Sequence, residues 1–293
     1  MPEKKKILFI INPISGPLRY EDINERIGGI IDYNCFDVEG VITTHKFHAH
    51  ELAKQAVADD IDYVVAVGGD GTVNEVASAL VHTKATLGIV PIGSGNGLAR
   101  HLKIPGDIDK AIEIINGRTV KLVDSVELNG KYFFNMAGLG FDAHIANEFE
   151  DSTVRGIKGY RKLIAKEYFK FKPSNYEIFT AEENLSVNAL MLCLANGKQW
   201  GNGAIISPKS SVSDAVLEIC VVKKVPSLFL PFTIRKLFNK KIESSRFINI
   251  LKTKSGVIIQ KGTLVHLDGE PYEMGNKIDF KVHHTSLNVL VHR

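Results

Sequence analysis

The fold is decided between residues 64 and 76, where the chain reads Val64-Val65-Ala66-Val67-Gly68-Gly69-Asp70-Gly71-Thr72-Val73-Asn74-Glu75-Val76. The opening apolar run is typical of a strand buried on both faces of a parallel sheet. The glycines that follow allow the backbone to turn sharply and to approach a ligand closely. A helix then begins, and the N–H groups and positive dipole at its start favour an anion. We predict a strand, a phosphate-binding turn and a helix, with Thr72 as a candidate N-cap.

Two further glycine-containing turns follow predicted strands. The turn Asn12-Pro13-Ile14-Ser15-Gly16 comes after the strand Ile7–Ile11. The turn Gly93-Ser94-Gly95-Asn96-Gly97 comes after the strand Thr86–Val90. Because the carboxyl ends of parallel strands lie at one edge of a sheet, all three turns can meet there. The alternation of strands and helices predicts an α/β domain with helices on both faces of a parallel sheet. Its other predicted elements are the strands Val38–Ile42 and Tyr63–Val67 and the helices Glu21–Ile31, Ala49–Ala58, Val73–Leu80 and Ile108–Asn116.

The pattern changes after Val120, where strand-like runs dominate. They predict a mostly antiparallel β-domain, arranged as a sandwich. We place the first domain at residues 1–125, the second at 126–285, and a C-terminal strand that can return to the first domain at 286–293. The predicted strands after Val120 are Lys131–Met136, Tyr176–Thr180, Ala189–Ala195, Leu217–Val222, Phe247–Leu251, Val257–Gln260, Leu264–Leu267, Lys277–Val282 and Leu287–Val291.

The composition is that of a globular protein, with 44% hydrophobic and 24% charged residues. The apolar run Ile7–Ile11 is too short for a membrane-spanning helix of about 20 residues or a signal-peptide core of about 7–15 residues. The cysteines Cys35, Cys193 and Cys220 are too few and too far apart for a disulfide framework or a zinc site. We therefore expect a soluble, cytoplasmic protein, with Cys193 and Cys220 in buried strands.

The histidine clusters are expected at the surface or in loops, because no Cys or carboxylate pattern of a zinc site accompanies them. Trp200 is expected either to pack in the core, which we favour, or to line a ligand pocket. The histidines in these clusters are His45, His48, His50, His283 and His284.

The net charge of +3 conceals two strongly basic segments. Residues 154–172 and 223–246 each carry seven Lys or Arg and one Glu, and the rest of the chain has a net charge of −9. Both segments place aromatic residues beside basic ones, as helices at a membrane interface do. The alternative is an ordinary amphipathic helix with a solvated basic face. Nucleic acid is not expected as a partner, because the sequence shows no nucleic-acid-binding module.

The three turns resemble the catalytic domain of diacylglycerol-kinase-like lipid kinases, which is shared with sphingosine and ceramide kinases and with bacterial lipid kinases. That family has N-P-x-S-G, G-G-D-G-T-x-N-E-V and P-x-G-[TS]-x-N loops in this order. The resemblance continues at Gly138–Ala143, similar to the family's G-x-G-F-D-A, and at Asp268-Gly269-Glu270, similar to its D-G-E motif. It therefore spans roughly residues 7–291.

The resemblance implies an α/β nucleotide-binding domain similar to those of phosphofructokinase and NAD kinase, followed by a β-sandwich that takes the lipid, with ATP in the cleft between them. Ser94 corresponds to the Thr/Ser of the third loop, and Thr43 corresponds to a threonine that contacts ATP. By resemblance, the nucleotide-binding residues are Asn12, Thr43, Gly68, Gly69, Asp70, Gly71, Thr72, Asn74, Ser94 and Asn96.

Transfer of a phosphoryl group is catalysed mainly by positioning and electrostatics, and a hydroxyl acceptor needs a nearby group to take its proton. By resemblance, the D-G-E motif supplies this base, which leaves Asp268 and Glu270 as candidates. Asp70 is the third candidate catalytic residue. An Asp-Gly pair is also a common turn signal, so without the other motifs a simple β-turn is the better interpretation.

Two Mg²⁺ sites follow from the resemblance. The first is on the ATP phosphates, near Asp70 and Asp124. The second is a structural site of bacterial members, which Asp214 would form with the carbonyls of Ser211 and Val216. Ala215 stands here where the family usually has glycine, which weakens the second prediction.

Two other departures from the family pattern bear on function. Pro17 replaces the lysine that often follows the first loop, so Arg19 or Arg100 is expected to supply the charge. The third loop resembles the G-S-G-N of sphingosine and ceramide kinases more than the G-T-x-N-D of many bacterial diacylglycerol kinases. The acceptor lipid therefore stays open.

We expect an ATP- and Mg²⁺-dependent lipid kinase of lipid metabolism and phospholipid biosynthesis, peripherally associated with the membrane where its substrate lies. Diacylglycerol or a related lipid is the first candidate for the lipid that accepts the phosphoryl group. The alternatives are a sphingoid-base or ceramide kinase, then an NAD kinase, then a lipid-binding protein without turnover. A homodimer stays open.

Overall fold

The computed structural model describes residues 4–16, 19–150, 156–201 and 203–293. The chain forms two compact units. The first comprises Met1–Asp124 together with Thr285–Arg293, and the second comprises Ser125–His284. Among the described residues, no helix is long and apolar enough to cross a membrane.

The first unit is built on a parallel sheet whose first four strands lie in the order β2-β1-β3-β4. The C-terminal strand of the chain returns to this sheet, where Asn288 and Val289 pair in parallel with β4. The elements of the unit are β1 (Lys5–Ile11), α1 (Tyr20–Ile30), β2 (Phe36–Ile42), α2 (His48–Ala58), β3 (Tyr63–Gly68), α3 (Asp70–Leu80), β4 (Thr86–Pro91), α4 (Gly97–His101) and α5 (Ile108–Gly117).

The strands β1, β3 and β4 are central because their sequences are apolar on both faces. Residues Ile7–Ile11 and Val64–Val67 are buried throughout, as is all of β4. β2, which contains charged residues, lies at the edge and is mostly exposed or half-buried. The prediction of an α/β domain with a parallel sheet is confirmed, and the carboxyl ends of β1, β3 and β4 are neighbours.

The second unit is an antiparallel β-sandwich, as predicted. One sheet has the order β14-β13-β10-β7-β16-β17, and the other contains β18-β15-β8-β9. Its elements are β5 (Val120–Leu128), β6 (Lys131–Phe133), β7 (Met136–Gly140), α6 (Phe141–Glu150), α7 (Gly156–Lys170), β8 (Ser174–Thr180), β9 (Asn184–Ala189), β10 (Met191–Ala195), β11 (Gln199–Gly201), β12 (Ala204–Ile205), β13 (Leu217–Val222), α8 (Leu230–Phe238), β14 (Ile248–Thr253), β15 (Ser255–Gln260), β16 (Leu264–Leu267), β17 (Glu270–Glu273) and β18 (Lys277–Leu290).

Both faces of the six-stranded sheet are buried at its central strands β13, β10 and β7. Leu139 and Leu192 belong to a core that also holds Ile178 and Ile258 of the opposite sheet. Alternate residues such as Met191 belong to a second core, which α6 and α7 help to form. Period-two alternation along each strand therefore supplies two cores at once. Cys193 and Cys220 are buried in strands, as predicted.

Four predicted strands are divided differently in the structure. Lys131–Met136 was predicted as one strand but contains all of β6 and the start of β7. Ala189–Ala195 contains the end of β9 and all of β10. The two predicted final strands are one continuous strand, β18. Strands β5, β11, β12 and β17 and helices α4 and α6 were not predicted, and β9 was predicted only at its last residue.

Candidate active site

Hydrogen bonds join the turns after β1, β3 and β4. The Asn12 side chain donates from Nδ2 to Thr72 Oγ1 at 3.0 Å, and the Asn12 backbone N–H donates to Val67 at 3.0 Å. The Ile92 N–H donates to the Gly68 carbonyl at 3.0 Å. The structure therefore brings the first and second turns together and ties the residue after β4 to the end of β3.

The glycines of these turns are required by close approach. A Cβ added at Gly93 would lie 2.5 Å from the Gly69 Cα, and a Cβ at Gly68 would lie 2.5 Å from the Thr72 side chain. Neither Gly68 nor Gly93 has a positive φ. Only residues without a side chain allow two backbone turns to pack this closely.

Asp70 is a structural support of the third turn. It is the first residue of α3, and its carboxylate accepts hydrogen bonds from the N–H groups of Asn96 at 2.7 Å and Gly97 at 2.6 Å. The prediction of Thr72 as the N-cap is wrong, because Gly69 is the N-cap and Thr72 lies buried in the first turn. Asp70 thus holds the turn after β4 against the start of α3.

Asn96 carries an unpaired buried oxygen. Asn96 adopts a left-handed backbone conformation with φ of 57°, and its side-chain Nδ2 donates to the Gly93 carbonyl at 2.7 Å. Its Oδ1 is buried and has no hydrogen-bond partner. Because buried polar atoms almost always have a partner, this acceptor marks a place for a donor or a cation.

The other predicted nucleotide-binding residues lie on elements around the same edge of the sheet. Thr43 follows β2, and its N–H donates to the Ile11 carbonyl at 2.9 Å. Asn74 lies in α3 and accepts from the Ser78 hydroxyl at 3.3 Å. Arg100 places an Nη2 nitrogen 3.5 Å from the Ser94 carbonyl. Arg100 therefore brings a positive charge to the third turn.

Arg19 directly precedes α1, and its backbone N–H lies 3.4 Å from an Asp22 carboxylate oxygen. Pro17, the departure from the family pattern, lies outside the described residues.

Glu75 has a role that sequence reasoning missed. Its carboxylate accepts from the N–H groups of Phe47 and Ala49, both at 3.1 Å. These groups lie at the start of α2, where no preceding helical residue accepts hydrogen bonds. Glu75 therefore caps a neighbouring helix. The signal in the sequence that could have indicated a role for Glu75 is its place in the G-G-D-G-T-x-N-E-V motif.

Asp124, predicted near the nucleotide metal, is fully buried in β5. Its Oδ1 accepts from the Thr285 N–H at 2.7 Å. No group of three or more His, Cys, Asp or Glu side chains that could hold a metal is found in the part of the chain that the structure describes.

In the second unit, Asp268 and Glu270 share the turn between β16 and β17. The Asp268 carboxylate accepts from three consecutive backbone N–H groups, those of Phe134, Asn135 and Met136, at 3.0, 2.9 and 2.9 Å. These contacts hold the segment between β6 and β7. They also explain why the predicted strand Lys131–Met136 is interrupted.

A buried polar network lies next to this turn. Asp142 accepts from the Trp200 indole N–H at 3.0 Å, and its carboxylate lies 2.8 Å from His266 Nε2 without a well-aligned hydrogen bond. The Gly269 N–H donates to the other ring nitrogen of His266, at 3.2 Å. Burial lowers the pKa of His266, but the Asp142 carboxylate outweighs it, so that the pKa is raised. A Cβ at Gly138 would collide with both side chains.

Sequence reasoning missed His266, because a single histidine in a strand carries no spacing signal. Asp142 was quoted as part of a motif without a role. Trp200 is half-buried and binds Asp142 through its N–H.

The predicted structural metal site lies in the loop before β13. Asp214 is exposed, and its Oδ1 accepts from the Val216 N–H at 3.1 Å. Ala215 adopts a left-handed conformation with φ of 60°, which glycine adopts at lower cost. The Ser211 hydroxyl lies 3.4 Å from that of Ser213. The loop thus keeps, with alanine, a backbone conformation suited to glycine.

Two family models match the chain over most of its length. The diacylglycerol kinase catalytic domain matches residues 6–128, and the YegS C-terminal NAD kinase beta sandwich-like domain matches residues 135–291. The chain belongs to the diacylglycerol-kinase-like lipid kinase family. This lipid kinase is 30% identical over 238 residues to a "Probable lipid kinase YegS-like" of Yersinia pestis (strain Pestoides F), covering 78% of this chain and 79% of the relative. A protein of the same name from Yersinia pseudotuberculosis serotype O:1b (strain IP 31758) gives the same values.

Solved structures agree on the fold of this lipid kinase. A diacylglycerol kinase structure from Bacillus anthracis str. Sterne matches with a TM-score of 0.77 and 23% identity, over 100% of this chain and 99% of that chain. A second structure from that organism has a TM-score of 0.81 and 23% identity, over 98% and 97% of the two chains. These structures show that the chain has the same fold, an α/β domain and an antiparallel β-sandwich.

Proposed function

We propose that this lipid kinase transfers the γ-phosphoryl group of ATP to the hydroxyl of a membrane lipid, with diacylglycerol as the first candidate. The observation that carries the proposal is the joining of three glycine turns around the start of α3. Such turns present backbone N–H groups and the positive end of a helix dipole, which together suit a chain of phosphates. Arg100, beside Ser94, adds a positive charge that Pro17 does not supply.

We assign Mg²⁺ to the nucleotide at Asn96 and Asp70. The residues fit a hard cation, because the unpaired buried Oδ1 of Asn96 and the Asp70 carboxylate are oxygen donors. When bound, Mg²⁺ neutralises charge on the phosphate oxygens. The Asp124 carboxylate, in β5, would add a negative charge that attracts the same Mg²⁺. The loop of Ser211, Asp214 and Val216 is also proposed to hold Mg²⁺, since its donors are oxygen atoms.

We assign to Glu270 the role of the base that takes the proton from the acceptor hydroxyl. Asp268 is less suited to this role, because three backbone N–H groups already engage its carboxylate. Asp268 instead positions the turn that carries Glu270. The lipid would be reached at a membrane surface, by peripheral association.

The proposal is tested with purified protein, labelled ATP and Mg²⁺ against mixed micelles of diacylglycerol, monoacylglycerol, sphingosine, ceramide or undecaprenol, with NAD as a soluble control. We expect label on diacylglycerol, and loss of that label with Glu270→Gln. Label on sphingosine or ceramide would keep the lipid kinase and change its acceptor, a result that the Gly93–Asn96 sequence leaves open. Label on NAD alone would overturn the proposal, and so would ATP binding without any labelled product.

A further inference from the structure

Helix α8 carries apolar side chains on its outer face as well as its inner one. Thr233 is buried, and Leu237 packs against a core of the second unit. Phe232, Ile234 and Phe238 are instead 67%, 48% and 49% exposed. A helix that only covers a core presents polar side chains on its outer face. Folding of the second unit therefore does not account for these three residues.

The exposed apolar surface continues beyond α8. Leu228, in the turn before the helix, is 76% exposed, and Phe169, at the end of α7, is 65% exposed. The two segments are joined, because the Tyr168 hydroxyl donates to the Val225 carbonyl at 2.8 Å and accepts from the Val225 N–H at 2.9 Å. We define the apolar patch as Phe169, Leu228, Phe232, Ile234 and Phe238.

The chain around α8 is strongly basic. Residues 223–246 contain seven Lys or Arg and one Glu. That carboxylate, Glu243, pairs with Lys209 at 3.0 Å, so it adds no net negative charge to the surface. Arg235 and Lys240 are exposed beside the apolar side chains of α8. The surface therefore combines exposed aromatic and aliphatic groups with an excess of positive charge.

This combination selects one kind of partner. A second copy of the chain in a symmetric dimer would bring the same basic segment against itself, which like-charge repulsion opposes. An anionic bilayer satisfies both features, because apolar side chains enter the acyl boundary while Lys and Arg contact lipid phosphates. We propose that the apolar patch and its basic neighbours are the surface by which this protein docks on anionic membranes. The choice of a bilayer over an acidic protein rests on the proposed function.

The apolar contribution is tested by flotation with vesicles of phosphatidylcholine, with and without phosphatidylglycerol. The double variant Phe232→Ser, Phe238→Ser should lower the partition coefficient on anionic vesicles by about tenfold or more, because both rings leave the acyl boundary. Tyr33→Ser removes a side chain that is 50% exposed in the first unit and is the matched control. Circular dichroism and thermal unfolding verify that each variant is folded.

The charge contribution is tested with Arg235→Gln, Lys240→Gln. Binding to anionic vesicles should fall by about fivefold per charge removed, whereas binding to phosphatidylcholine alone should not change. Lys54→Gln, Lys84→Gln, which removes two exposed charges from the first unit, is the control. A loss of equal size in this control would indicate only a net-charge effect and would overturn the assignment.

Two further results would overturn the docking surface. One is equal vesicle binding by wild type and the Phe232, Phe238 variant. The other is a dimer in sedimentation velocity that this variant dissociates without a change in vesicle binding. The proposed function is tested separately in detergent micelles. Vesicle binding without any lipid phosphorylation would reject that function alone, and micellar phosphorylation with patch-independent vesicle binding would reject the docking surface alone.

Discussion

The two units each use a motif aspartate to hold a second loop in place. In the first unit, Asp70 accepts from two consecutive N–H groups at the start of α4. In the second unit, Asp268 accepts from three consecutive N–H groups between β6 and β7. In sequence both residues have the appearance of reacting groups, because acidic residues beside glycines suggest catalysis. In the structure both carboxylates instead hold a neighbouring loop through its backbone N–H groups.

The difference between the two lies in what accompanies the supporting aspartate. Beside Asp70 lies the unpaired buried oxygen of Asn96, a further donor for a cation. Beside Asp268 lies Glu270, a second carboxylate on the same turn. We interpret Asp70 as a support that also contributes to ion binding. We interpret Asp268 as a support for Glu270, which in the proposed function takes the proton from the acceptor hydroxyl.

The largest expected effect separates the two carboxylates of the D-G-E turn. Glu270→Gln keeps the size of the side chain but cannot accept a proton, so kcat should fall by about 10²–10⁴-fold. The KM for ATP and the free energy of unfolding should stay close to those of the wild type. Steady-state kinetics on the phosphorylated lipid and urea unfolding measure both quantities. If kcat of the Glu270→Gln variant equalled that of the wild type, Glu270 would not be the catalytic base.

Asp268→Asn should instead act on stability. The amide has one acceptor oxygen in place of two and brings an N–H group towards backbone donors. We expect a loss of about 2–3 kcal/mol in the free energy of unfolding, since hydrogen bonds to charged groups contribute more than neutral ones. Asp279→Asn, at a surface ion pair with Lys277, is the control and should change stability by less than about 0.5 kcal/mol. A stable Asp268→Asn protein without turnover would reverse the two roles.

The same substitution at two glycines should have different consequences in the two units. Gly93→Ala forces apart the turns at Gly69 and Gly93, so calorimetry should show weaker ATP binding. Gly138→Ala forces a methyl group against Asp142 and His266, which should lower stability by about 1–3 kcal/mol. Gly40→Ala, where a Cβ meets nothing within 4 Å, is the control for both. Unchanged ATP binding in Gly93→Ala would argue against the joined turns as the nucleotide site.

Local patterns predicted the first unit well, because its strands are continuous apolar runs and its turns are marked by glycine. The second unit depends more on contacts between distant residues. Phe134 bonds to a carboxylate 134 residues later in the chain, and nothing near Phe134 indicates the resulting interruption of the strand. β18 was predicted as two strands because polar residues occupy positions 283–286, yet the strand continues through Thr285 with φ of 48°.

The smallest expected effect concerns His266, which links Asp142 to the D-G-E turn. Because Asp142 raises the pKa of His266 in the folded state, its stabilising contribution is full below the ordinary value of about 6.5. This contribution to stability is lost as the pH rises through the raised pKa of His266. The Gly269 N–H, however, requires an unprotonated Nδ1 as its acceptor. Protonation therefore strengthens the attraction to Asp142 and at the same time releases the turn.

Stability and turnover should therefore respond to pH in opposite directions. As the pH rises from below about 6.5 through the raised pKa of His266, its contribution to the free energy of unfolding should decrease, while kcat should increase as Gly269 regains its acceptor. Both dependences should flatten in His266→Gln. His283→Gln removes another histidine that lies 2.8 Å from a carboxylate, Glu127, and should leave them in place. If kcat of His266→Gln kept the wild-type pH profile while its stability profile changed, the imidazole would support the fold without positioning Glu270.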